Sequence, residues 1–374
     1  MITTTRSRMF LPLLMLLTVA CMAAFAQAVK QKPLKLKKAT GPMPVLAPVP
    51  KTGTLSSPTS NTDFTFIVLG DNRPQKPVPQ QPAITSQLID DMKQYNPSFI
   101  LWTGDIIAGK DATNASLINS EYKAFFDLAK TAGVPVFNAP GNHEMNAAGN
   151  APCPTMDQLY KQNMKTNNLY GAFAYGNSRF IALNTDSLMK SANSKCKPPS
   201  KNFDNKGYVN NQQLKSLDAY LQANASAQYI FIFMHRPMLP KSGGVGLNAV
   251  STQKLQQIFA KYTNIAYVFA AHEHLYYNAL AKDNSPPPCV GQPWCPSTGN
   301  CPPFYLVSGG AGAPLHPDKD DSEEEEGEFD PDAFYNYLVF KVSATGIQAT
   351  LVNCGTDADP KKNPCQAQPS CATH

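Results

Sequence analysis

Five short apolar runs in this chain each stop at a polar cluster drawn from the same few residue types. Phe64–Leu69 runs into Gly70-Asp71, with Asn72, Arg73 and Pro74 behind it; Phe99–Trp102 runs into Gly104-Asp105. Pro135–Asn138 leads to Gly141-Asn142-His143-Glu144, Tyr229–Met234 to His235, and Ile265–Ala270 to Ala271-His272-Glu273-His274. Such runs, rich in β-favouring residues and followed by glycine or polar residues, read as buried strands. Segments between them have helical spacing: Ala83–Gln94, with Ile84, Leu88 and Met92 on one face, then Leu117–Ala132, Gln212–Gln222 and Thr252–Tyr262. The alternation predicts an α/β fold in which a parallel sheet carries helices on the outside. Ligands of open α/β sheets sit at the carboxyl ends of the strands. Segments far apart in sequence are therefore expected to converge on one crevice.

Four of the six histidines fall in these strand ends; His316 and His374 are the exceptions. Phe180–Leu183 reads as a further buried strand. Phe304–Ser308, Tyr335–Val342 and Ile347–Val352 follow one another with no helix between, which suggests a second sheet of mixed direction. No internal repeat is present.

Outside this region the chain divides by composition. Met1–Ala28 has an export-signal pattern: Arg6 and Arg8, an apolar stretch Met9–Phe25, and the small-residue site Ala26-Gln27-Ala28. A lipoprotein site at Cys21 is the weaker reading, because Thr18 stands where leucine is usual. Val29–Asn61 is rich in Lys, Pro, Thr and Ser and reads as a flexible linker. A catalytic domain over Thr62–Asn353 and a cysteine-containing tail, Cys354–His374, complete the expected organisation. After signal removal eight cysteines remain without a C-x2-C pair, which favours disulfides in an exported protein over a thiolate metal cluster. The acidic run Asp318–Asp332 reads as a solvated loop. A net charge of +5, concentrated near the N-terminus, argues against a nucleic-acid partner. Beyond the signal no apolar run suffices for a transmembrane span. Oligomeric state is not encoded in any feature of the sequence.

The strand ends supply carboxylates, an amide oxygen and imidazoles, with no thiolate, a donor set suited to Mn, Fe or Zn. His272-x-His274 places both imidazoles on the same side of an extended segment. In these ordered segments the chain resembles the calcineurin-like metallophosphoesterase family over roughly Thr65–Val352. The resemblance implies a four-layer αββα sandwich with two mixed β-sheets. It also implies hydrolysis of a phosphate-ester substrate by a hydroxide shared between two divalent or trivalent metal ions. Carried over by position, Asp71, Asp105 and His274 hold the first metal; Asp105 bridges to a second completed by Asn142, His235 and His272. His143 is then the group that stabilises or protonates the leaving oxygen. Glu144 either orients a ligand or begins the next loop.

Arg73 is a departure from the family pattern, which commonly has a metal-binding histidine there; arginine cannot ligate because it keeps its proton. The purple acid phosphatase subgroup instead uses a tyrosine three residues after the bridging aspartate, where this chain has Ala108. Arg73 is therefore expected either to turn into the crevice and bind phosphate, or to be a surface or ion-pair arginine. Arg236 is expected either to reach phosphate or to have a structural role. Ser308–Leu315, "SGGAGAPL", is expected to bring backbone near the site, and Tyr276 and Tyr277 to pack in the core. Pocket walls are expected from Met145–Asn168, Leu188–Lys206 and Lys282–Pro303. Two rival functions remain at this level: an exported metal-binding protein without catalysis, and a phosphodiesterase or nuclease with diester preference.

Overall fold

The computed structural model describes residues 46–109, 114–145, 154–187, 206–242, 245–291, 303–315 and 332–357, with Asp359, Lys362 and residues 364–369. The expected signal segment, the acidic run before Asp332 and parts of all three expected pocket loops lie outside the described residues.

The strands in chain order are β1 (Lys51–Thr52), β2 (Phe64–Leu69), β3 (Phe99–Trp102), β4 (Val136–Asn138), β5 (Gly171–Tyr175), β6 (Ser178–Ala182) and β7 (Tyr229–Phe233). They continue as β8 (Ile265–Ala270), β9 (Tyr276–Asn278), β10 (Val290–Gly291), β11 (Phe304–Ser308), β12 (Asn336–Ser343), β13 (Gly346–Asn353) and β14 (Gln366–Pro369). One sheet has the order β1-β4-β3-β2-β12-β13-β10, with β14 also paired to β13; the other runs β5-β6-β7-β8-β11-β9. Strands β2, β3 and β4 are mutually parallel, as are β6, β7, β8 and β11. Antiparallel strands flank both groups.

The last three predicted strands do not form a sheet of their own. β11 joins β8 in the second sheet, while the β12–β13 hairpin adds to β2 in the first. Their apolar patterns specify faces, not neighbours. β5, a run of small and aromatic residues, was not anticipated; it closes a hairpin with β6.

Alternation along each strand sorts side chains between two cores. Phe64, Phe66 and Val68 of β2 face an aromatic layer between the sheets, as do Tyr229, Phe231 and Phe233 of β7 and Leu338, Phe340 and Val342 of β12. Phe66 stacks on Phe99 and Phe340, with ring centroids 5.6 and 5.1 Å apart, and meets the edges of Phe180 and Phe231. The alternate residues, Ile67 and Leu69, Ile230 and Ile232, and Val339, belong to an aliphatic core shared with the helices. Those helices are α1 (Ala83–Met92), α2 (Ala115–Lys130), α3 (Asn142–Met145), α4 (Pro154–Asn163), α5 (Asn211–Ala223) and α6 (Ala249–Phe259). Asn114, Asn210 and Asn248 cap α2, α5 and α6, each side chain accepting from an amide in the first turn. The result is a four-layer α/β sandwich with two mixed sheets. Tyr276 and Tyr277 pack in these cores, as anticipated.

The packed structure begins before Thr62. Leu46 and Val49 are buried, and β1 pairs with β4, so part of the stretch expected to be a linker lies along the sheet edge. At the other end Cys354 and Cys365 form a disulfide, and Cys289 is also disulfide-bonded. No helix among the described residues is long and apolar enough to cross a membrane.

Candidate metal centre

Parallel pairing brings the carboxyl ends of β2, β3 and β4 to one edge, and those of β7 and β8 to one edge of the other sheet. Asp71, Asp105 and His272 follow β2, β3 and β8, and all three adopt left-handed backbone conformations, with φ of 62, 54 and 73°. Each such residue costs on the order of 1–3 kcal/mol and persists only where its surroundings hold it. The holding groups are visible. The Asp71 amide donates to the Gly104 carbonyl (3.1 Å), the Asp105 amide to Glu144 Oε2 (2.9 Å), and the His272 amide to Asp71 Oδ2 (2.5 Å). Gly104 and Gly141 are required here: a Cβ on Gly104 would press on Gly141 backbone and the His235 ring, and one on Gly141 would overlap Asp105.

These turns gather the predicted residues. Donor atoms of Asp105, His235 and His272 all lie within 4.8 Å of one another. His235 Nε2 is 3.3 Å from Asp105 Oδ1, 2.9 Å from Asn142 Oδ1 and 3.0 Å from His272 Nδ1. Asp71 Oδ1 is fully buried without a hydrogen-bond partner, 3.9 Å from both His274 Nε2 and His235 Nδ1. An orphaned carboxylate oxygen beside imidazole nitrogens, in a donor set of hard oxygen and borderline nitrogen, fits a cation of the Mn, Fe or Zn class.

Residues 64–276, more than half of the chain, match the calcineurin-like phosphoesterase family. The chain belongs to this family. Its fold is similar to that of a purple acid phosphatase isolated from yellow lupin (Lupinus luteus) seeds, with a TM-score of 0.53 and 14% identity. That match covers 79% of this chain and 53% of the lupin protein, so the chain spans about half the length of that relative. A dimetal phosphatase from Danio rerio matches with a TM-score of 0.52 and 13% identity, over 82% of this chain and 99% of the other. No curated protein sequence matches significantly.

Around the donors, this family member fixes each histidine from behind. His235 Nδ1 donates to the Thr103 carbonyl (2.9 Å), His274 Nδ1 to the Pro314 carbonyl (2.6 Å), and His143 Nδ1 to the Ala108 carbonyl. A carbonyl only accepts, so in all three rings the Nδ1 proton is assigned and Nε2 faces the crevice. For His143 that nitrogen is 3.8 Å from Asp105 Oδ2. Arg236 meets the remaining ring with the opposite polarity: its Nη1 donates to His272 Nε2 at 2.7 Å, while its Nε donates to Asp186 Oδ1 at 2.8 Å. The arginine after His235 thus holds a neighbouring histidine, and Asp186, which no motif signalled, holds the arginine.

Glu144 is an orienting group. Its carboxylate accepts from the amides of Asp105 (2.9 Å), Ile106 (2.9 Å), Ile107 (3.3 Å) and Gly141 (2.7 Å), tying the turn after β3 to the turn after β4. The glycine-rich segment does approach the site, as anticipated: a Cβ on Gly309 would overlap the Glu273 carbonyl and Asp71 Oδ2. Arg73 is turned inward and only 3% exposed, with Nε 3.8 Å from Asp105 Oδ2. Asn72 beside it is held by the indole N–H of Trp102 (2.7 Å) and by Gln81 (2.5 Å).

Burial and neighbouring charges separate otherwise similar groups. Burial pushes the Asp71 carboxyl well above its usual range, despite the charge of His235. Burial acts the same way on Asp105, but the charges of His235, His143 and Arg73 outweigh it and hold that carboxyl well below. His235 resists its own burial and is raised to about 9, chiefly by Asp105 and then Asp71. His272 is driven down by burial and by Arg236.

Proposed function

We propose that the chain is a metal-dependent hydrolase of phosphoric esters. The observation that carries this reading is the convergence of Asp105, Asn142, His235 and His272 on one point at the strand ends. These four would hold a cation. Asp71 and His274 extend the donor set toward Arg73, and the number of cations accepted turns on that arginine. The bound metal supplies Lewis acidity toward phosphoryl oxygens and activates water at working pH.

The protein's own groups do the rest. His143 is oriented by the Ala108 carbonyl so that Nε2 faces the crevice, where the imidazolium form would give its Nε2 proton to the departing alkoxide and be left neutral with the Nδ1 proton retained. Glu144 keeps Asp105 and the Asn142–His143 turn in register. Arg73, inward and buried, supplies fixed positive charge to a phosphoryl group. Position 108 carries no tyrosine and contributes only its carbonyl to His143, which supports a place outside the purple acid phosphatase subgroup. The leader-like Met1–Ala28 segment and the Cys354–Cys365 disulfide support an exported location.

The test is hydrolysis of p-nitrophenyl phosphate and bis-p-nitrophenyl phosphate by metal-stripped protein resupplied with Mn²⁺, Zn²⁺ or iron. Metal-dependent turnover lost in His143→Ala and Asp105→Ala is the expected result. Tight metal uptake without turnover on either ester would replace this reading with that of a binding protein.

A further inference from the structure

We propose that Arg73 takes the place of one of the two cations, so that the chain holds a single divalent metal ion beside a guanidinium. The proposal rests on the hydrolase reading for its purpose, but not for its test.

The candidate donors divide unequally. Asp105, His235, His272 and Asn142 converge, with donor atoms of the first three within 4.8 Å and Asn142 Oδ1 2.9 Å from His235 Nε2. That is a complete donor set for one ion. Asp71 and His274 stand outside this cluster, 3.9 Å from one another through Oδ1 and Nε2. An ion on their side would share Asp105. The Asp105 oxygen turned away from the first cluster, Oδ2, instead has the Arg73 guanidinium beside it, its Nε 3.8 Å away. Arg73 is 3% exposed, so its charge stands unscreened by bulk solvent, and it acts on both Asp71 and Asp105.

The guanidinium beside Asp105 also weighs on a second ion. A second divalent ion would sit against a guanidinium that cannot release its proton, in surroundings where like charges repel strongly. A guanidinium also does for phosphate much of what a second cation would, through planar paired donors. The histidine that would complete the second ion's ligands and the arginine that would repel it are alternatives at one position.

The experiment counts metal. Full-length protein is stripped and titrated with Mn²⁺ by calorimetry; bound Mn is measured after desalting by plasma mass spectrometry and examined by paramagnetic resonance. The wild type is expected to take up one Mn²⁺ per chain with the signal of an isolated ion. Arg73→His is expected to take up a second and to show exchange coupling between them. Arg73→Gln removes the charge without adding a ligand; it is expected to admit a second, weaker ion, and it serves if the histidine variant does not fold. Two Mn²⁺ of similar affinity in the wild type would overturn the proposal, and so would a single ion in every folded variant. Because the count needs no turnover, one ion without hydrolysis upholds this inference and ends the hydrolase reading. Hydrolysis with two ions does the reverse.

Discussion

The backbone amide of His272 donates to Asp71 Oδ2 at 2.5 Å, joining the ends of strands in different sheets across 201 residues of sequence. The other oxygen of the same carboxylate is buried without a partner. One side chain thus bridges the sheets with one oxygen and leaves the other buried beside His235 and His274.

That arrangement leaves Asp71 a buried, half-satisfied carboxylate. Asp71→Asn should leave the stripped protein as stable as the wild type or more so, because an amide is cheaper to bury than a carboxylate. It should leave the rise in Tm on adding Mn²⁺ largely intact, because Asp71 stands outside the four-residue donor set. At free metal about 100-fold above Kd both proteins should gain roughly 2.7 kcal/mol. Calorimetric scans with and without chelator check this; loss of the metal-dependent gain in the variant would place Asp71 among the ligands of that ion.

Glu144 accepts from four amides in two turns. In Glu144→Gln one acceptor oxygen becomes a donor facing amide N–H groups, and a loss of about 2–4 kcal/mol is expected from hydrogen bonds to a charged group. Urea unfolding of the stripped proteins measures it. A change under about 0.5 kcal/mol would mean that the turns hold without this carboxylate.

Glu121 of α2 is buried, accepts from the Gly109 amide at 3.3 Å and leaves Oε1 unpaired; burial raises it from 4.5 to about 7. The folded state therefore binds a proton that the unfolded state has released between those values. Its contribution falls as pH rises through that window, by up to about 3 kcal/mol at roughly 1.4 kcal/mol per pH unit. Glu121→Gln should gain on the wild type between about pH 5 and about pH 8, read as the difference in unfolding free energy. A pH-independent difference would show that Glu121 titrates normally.

Phe66 contacts Phe99, Phe180, Phe231, Phe269 and Phe340 between the sheets. Phe66→Ala should cost about 3–5 kcal/mol, a cavity effect, with metal stoichiometry unchanged in the folded fraction. Chemical denaturation gives the first number and metal analysis the second.

Much of the candidate centre was legible in the linear chain. Polar residues closing apolar runs are uncommon enough that Asp71, Asp105, Asn142, His143, His235, His272 and His274 stood out, and the structure gathers all of them. Their partners did not stand out. Glu121 sits in an ordinary helical pattern, where a glutamate reads as solvent-facing, and Asp186 follows a strand with no motif around it. Both are recognised only by what packs against them.

Most strands and helices, and the residues that end at the crevice, were legible from local periodicity and from the cost of burying polar groups. β5 and the division of side chains between an aromatic and an aliphatic core came from packing. Only the tertiary structure decided that β11 joins β8 while the β12–β13 hairpin joins β2, because every apolar edge is a plausible neighbour until backbone hydrogen bonds select one. It also decided that Arg73 turns inward beside Asp105. An arginine two residues past a strand is as compatible with solvent as with a buried carboxylate, and the choice depends on charges brought together from distant parts of the chain.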